Sequence, residues 1–257
     1  MSLLISLHSE SVKIKRSAAF YTCFIIAAIV PLLLFFDLLT PNDDNKEVQQ
    51  MSLHKYFDMA QQVFNFVFLP LFIILISTLL LQLEYRNNTW KQVLTSPQKM
   101  INVFLSKFIT LHLLIILFIA SFLIFLSIGA FVIDLIHPNL FKKEFSIHTV
   151  LLADWHAYVS ILGLSAIQFW LALRFKNFIA PLAIGFCLWF MAPMMLFSLD
   201  WPMGDYYPYS FPIQLVAMSE RPGFTPDIPL IQMLSLGYGG LFLVLAFIEF
   251  KIRKVKT

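Results

Sequence analysis

Six uninterrupted apolar runs dominate this chain, each long enough to cross a bilayer core, which takes about 20 residues of helix. They cover Ala18–Leu38, Val63–Leu83, Phe104–Ile133, Val150–Leu173, Phe178–Ser198 and Leu230–Phe250. None shows the apolar/polar alternation of a membrane β-barrel strand. Backbone polar groups inside lipid must find partners within their own segment, so each run is expected to be a helix. Composition agrees: 59% of the 257 residues are apolar and 13% are charged, against about 45–50% and about 25% in a soluble domain. A soluble enzyme, a disordered tail and a disulfide scaffold are excluded. The expected fold is all-α, one transmembrane domain of six helices over residues 1–257. Cys23 and Cys187 fall inside apolar runs and report no redox compartment. The first run follows a basic segment without a small-residue cleavage site after it, and is read as a retained anchor.

Charge orients the spans. The segments 1–17, 84–107 and 174–177, with the C-terminal stretch from Glu249, hold thirteen Lys and Arg against Glu10, Glu84 and Glu249. The alternate segments hold five basic residues against twelve acids. Basic loops stay on the cytoplasmic side, so both termini are expected to be cytoplasmic. Trp155 and Trp201 fall near the outer ends of spans, the depth that amphipathic rings prefer.

Three segments lie outside the spans. In residues 1–17, Leu3, Leu4, Leu7, Ser11 and Ile14 recur at helical spacing ahead of Lys13, Lys15 and Arg16, as in a helix lying on the cytoplasmic leaflet. Residues 39–62 read as a polar outer loop. Residues 199–229 read as the longest outer segment, with prolines that stop regular structure and a short helix after Pro212, capped by Ser210.

The most informative stretch is 84–99, between spans two and three. Asn87 or Asn88 can cap a helix on which Trp90, Val93 and Leu94 form one apolar stripe, and Ser96-Pro97 ends it. An apolar stripe on a cytoplasmic loop needs a partner surface, either the protein's own span ends or a separate protein.

The pattern Glu84…Asn88-Thr-Trp-Lys91…Leu94…Pro97…Lys107 resembles the type-2 ABC exporter permeases, and within them the lantibiotic-immunity and bacteriocin-export branch. The Tyr206…Pro208…Ser210-Phe-Pro212 segment, six spans and a basic N-terminal helix are similar as well. The resemblance implies a bacterial plasma-membrane permease energised by a separate cytoplasmic ATPase in two copies, with a second permease subunit, identical or a sister chain. It implies that 84–99 carries the coupling helix. Trp90, Val93 and Leu94 would then be the buried contact, Arg86 and Lys91 its rim, and Glu84 and Pro97 its boundaries. ATP and magnesium would belong to the ATPase. Peptides or hydrophobic compounds would be the cargo.

No catalytic residue and no cofactor is expected in this chain. No glycine is followed by Lys, so the phosphate-cradling P-loop is missing. No H-E-x-x-H, C-x-x-C or nucleophile elbow occurs, and nothing points to nucleic acid. His112 and Gln168 are polar residues within spans, candidates for a substrate path or for helix–helix hydrogen bonds. Met191, Met194 and Met195 share helical spacing, but without a nearby Cys they read as packing residues, not a copper site. A different class remains open: a non-transporting scaffold or sensor that recruits a cytoplasmic partner through the same short helix.

Overall fold

A computed structural model describes residues 3–15, 17–39, 51–86, 99–138, 140–142, 145–198, 201–217 and 227–255. A short helix α1 (Leu3–Lys15) precedes span one, α2 (Ala18–Leu39). Span two is α3 (Leu53–Val63), a π-helical turn (Phe64–Phe68) and α4 (Leu69–Arg86). Span three, α5 (Met100–Ile136), is 37 residues long. Span four is broken into α6 (Ile147–Ser160) and α7 (Leu162–Arg174), bent by 41°. Span five is α8 (Ile179–Pro193) running into a π turn at Met194–Ser198. After a 3-10 turn (Pro202–Tyr206) and the short α9 (Phe211–Ala217), α10 (Ile228–Val255) forms span six. Among the described residues five helices are long and apolar enough to cross a membrane, and six when the bent pair counts as one.

The span starting at Val63 and the outer loop 39–62 need correction. The second helix begins at Leu53. Tyr56, Phe57, Ala60 and Gln61 are buried in line with Phe64, one helical face running into the span. His54, Lys55, Asp58 and Gln62 interrupt that face in the sequence, which makes the segment look like a polar loop. Residues 40–50 lie outside the described residues. Met51 and Ser52 pair in parallel with Phe141 and Lys142, a two-residue ladder.

Lipid is as apolar as leucine, so burying apolar side chains between spans contributes less than it does in water. Close packing and polar ties carry the association instead. Phe64 stacks on Phe122 (3.9 Å) and Phe72 on Phe118 (3.8 Å), joining spans two and three. α2 packs along α5, and α7 along α10.

The breaks have visible partners. At Ile161, where α6 ends, Ser235 of span six fills the gap. Its Oγ accepts from the Gly163 N–H (2.9 Å) and is 2.8 and 2.9 Å from the Val159 and Ser160 carbonyls. A Cβ at Gly163 would stand 3.0 Å from the Ser235 carbonyl oxygen and 3.1 Å from the Tyr238 Cβ, so only glycine lets the two backbones come this close. In span two, the Phe66 carbonyl in the π turn accepts the Trp189 indole N–H (3.1 Å). Pro181 lies in the first turn of α8, where a missing N–H costs no helical bond, and Pro193 stands where α8 becomes π-helical.

The predicted helix after Pro212 is present as α9, but Ser210 works differently from a simple cap. Its hydroxyl lies 2.6 Å from the Gly204 carbonyl and 2.7 Å from that of Tyr207, and it accepts from Gln214 Nε2 (2.7 Å). The serine ties the 3-10 turn to the helix.

Candidate functional site

The N-terminal helix predicted for residues 1–17 exists as α1, Leu3–Lys15, and one of its faces packs on the bundle. Ser6, Glu10 and Ile14, at i, i+4 and i+8, are buried, while Leu4 is exposed. A carboxylate is thus carried inward at the middle of an otherwise apolar contact, and burial of a charge needs partners.

Lys107, in the second turn of α5, supplies them. Its Nζ lies 3.1 Å from both Glu10 carboxylate oxygens and 2.9 Å from Glu84 Oε1. Lys13 Nζ closes the group, 3.0 Å from Glu10 Oε1 and 2.8 Å from Glu84 Oε1. Lys107 and Glu84 are 1% and 2% exposed, whereas the Lys13 side chain is 42% exposed, so Lys107 is the keystone and Lys13 the rim. Two ammonium groups meet two carboxylates, and the tetrad is neutral as a whole. Burial pulls the Lys13 ammonium pKa down, but the hydrogen bond to Glu84 and the charges of Glu10 and Glu84 outweigh it, leaving the pKa above its ordinary value.

The tetrad stands at the two roots of the 84–99 segment. Glu84 is in the last turn of α4 and Lys107 near the start of α5. The adjoining residues extend the same end of the bundle. Tyr85 donates to the Leu173 carbonyl (2.8 Å) and Gln82 Nε2 to that of Lys176 (3.0 Å), tying α4 to α7 and the turn after it. The Trp170 indole donates to Glu249 Oε2 (2.9 Å), with Arg174 Nη1 3.7 Å from the same oxygen. Phe104 packs edgewise on Phe247 (5.3 Å). The segments that charge counting grouped together therefore do meet at one end of the molecule.

Of the residues predicted for docking, Glu84 is buried in the tetrad. Trp90, Lys91, Val93, Leu94 and Pro97 lie outside the described residues, as does the side chain of Arg86. Glu10, Lys13 and the anchoring role of Lys107 were not predicted. The available signal was an acid at the centre of the apolar N-terminal helix, in register with Ser6 and Ile14.

His112 and Gln168 are both inside the bundle. The His112 ring has the Tyr158 hydroxyl 3.2 Å from Nδ1 and Ser165 Oγ 3.4 Å from Nε2. Ser165 directs its own proton to the Leu162 carbonyl (2.8 Å), which assigns the ring proton to Nε2 and makes Nδ1 the acceptor. Gln168 donates to the Pro181 carbonyl (2.8 Å) and accepts from Tyr209 (3.2 Å). Each side chain links spans through hydrogen bonds. Among the described residues no group of three His, Cys, Asp or Glu stands close enough to hold a metal ion.

A bundle of up to six spans among the described residues, with a buried ionic tetrad at one end, defines a multi-pass membrane protein. Over residues 6–192 the sequence matches the ABC-2 family transporter proteins, and the chain belongs to that family. It is thus a transmembrane component of an ABC transporter, not itself the catalyst, and its family implies partnership with an ABC ATPase. No curated protein matches the chain.

Proposed function

We propose that this chain is the permease subunit of an ATP-driven exporter in a bacterial plasma membrane, of the lantibiotic-immunity type, and that a separate ATPase docks on the 84–99 segment. The observation that supports this reading is the tetrad at both roots of that segment. A force applied between Glu84 and Lys107 is passed at once to α1, α4 and α5, because one ammonium holds all three helices. Two permeases and two ATPases form the working unit, ATP and magnesium stay in the ATPases, and the cargo is an amphipathic peptide or hydrophobic compound. Trp90, Val93 and Leu94 are the buried anchors, with Arg86 and Lys91 at the rim, where charges add little. His112 and Gln168 are the polar residues within the spans that this reading assigns to the cargo path.

The test is a mild-detergent pull-down of the tagged full-length chain from its host, read by mass spectrometry. A stoichiometric P-loop ATPase is expected, and Trp90→Ala should weaken its association by about 2 kcal/mol or more, the size of an interface hot spot. Recovery of an intact complex without an ATPase would transfer the assignment to the scaffold or sensor class.

A further inference from the structure

At the end of the bundle away from the tetrad, a cavity of about 370 Å³ opens between the start of α3, the second half of α5 and the start of α6. Leu123, Ser127, Ala130, Phe131 and Asp134 line it from one face of α5, at i, i+4, i+7, i+8 and i+11. Phe57, Val150 and Phe141 are buried and make the floor, while Phe131 and Leu151 are exposed and make the rim. Gln61 braces that floor, its Nε2 lying 3.4 Å from the Val150 carbonyl and 3.0 Å from Asp154 Oδ1. The slot runs along α5 for about 16 Å at 1.5 Å per residue, with apolar walls for most of its length.

Its chemistry is one-sided. Among the described residues that line it, Asp134 is the one with a charge, and none is Lys, Arg or His. It sits in the last turn of α5, where the helix has no basic residue and the carbonyl ends add partial negative charge. An apolar slot with a carboxylate at one end fits a chain with a cationic head. A phospholipid is disfavoured, because it would bring its phosphate to that same negative end. The volume is at the small end of the range for ligand pockets, about 300–1,000 Å³. It suits one chain better than two.

We propose that this slot binds a single-chain, long-chain ammonium amphiphile dissolved in the bilayer, its tail between Phe57 and Phe131 and its head on Asp134. The site is independent of the ATPase assignment, since it needs neither ATP nor a partner. The test uses the full chain in neutral maltoside micelles and hexadecylamine carrying a photoreactive diazirine in its tail, with the matching diazirine alcohol as control. Labelled peptides are mapped by mass spectrometry. Adducts of the amine should concentrate within 123–136 and 145–151. Asp134→Asn, a change at an exposed position, should lower them about two- to five-fold, the effect of a partly exposed ion pair, and leave the alcohol unchanged. Ser127→Trp, which fills the slot from its exposed edge, should remove them. Equal labelling by amine and alcohol would overturn the proposal. So would labelling spread evenly to lipid-facing positions such as Val244 and Ile248, or displacement of the amine by added phosphatidylethanolamine.

Discussion

Lys107 holds one ammonium against three carboxylate oxygens within 3.1 Å, almost wholly out of water. Removing one partner of such a group is worse than never having built it, because Glu10 and Glu84 would stay buried with one ammonium fewer to balance them. Lys107→Met should therefore destabilise the protein by about 3–5 kcal/mol, measured as loss of thermal stability in detergent. Lys13→Met should cost less than about 1 kcal/mol, since its side chain is partly exposed at the rim. The Lys13 pKa is raised on folding from its ordinary 10.5. Its contribution is complete below about pH 10.5 and is lost as the pH rises through the higher folded value. The stability difference between wild type and Lys13→Met should stay constant from pH 7 to 10 and vanish in stronger base. A difference already lost by pH 8 would rule out that linkage.

At the scale of elements, the six spans could be read directly, because a continuous apolar run leaves the backbone no other state in lipid. Three features could not. The extension to Leu53 was hidden by polar residues on its outward face. The break at Ile161 depends on Ser235, 74 positions away in sequence, which no local pattern reports. The inward face of α1 could not be read either: Glu10 is buried there, and its partners are Lys107 on α5 and Lys13 on α1 itself. Of the segment proposed for docking only the roots are described: Glu84 and Lys107 meet directly, and α1 meets both through Lys13 and Glu10. Because α1 bridges the roots, Glu10→Gln should reduce ATP-driven export while leaving the ATPase bound, assayed together in vesicles and by pull-down. Loss of both in parallel would make α1 a simple stabilising element. Gly163→Leu should cost about 1–3 kcal/mol by overpacking against Ser235 and Tyr238.

The whole molecule has two unlike ends. One gathers α1, the roots of 84–99, Arg174 and Glu249; the other holds Asp134 and the paired strands. The count of basic residues is the ground for expecting the first end in the cytoplasm. In a chain with Cys23 and Cys187 replaced by Ala, a membrane-impermeant maleimide added to intact cells should label Trp201→Cys and spare His8→Cys. The reverse pattern would invert the topology.

The seam between α6 and α7 bears on how the protein is made. Each half, 14 and 13 residues, measures about 20 Å as a helix, short of a bilayer core of about 30 Å. Together they reach across, but Ser235 can meet the Gly163 N–H and the Val159 and Ser160 carbonyls only once span six has been made. Span four therefore completes its hydrogen bonding after synthesis of span six, and insertion of this chain is not a simple N-to-C sequence. A chain stopped at residue 226 should keep spans one to three protease-resistant while span four is clipped or handed to membrane quality control.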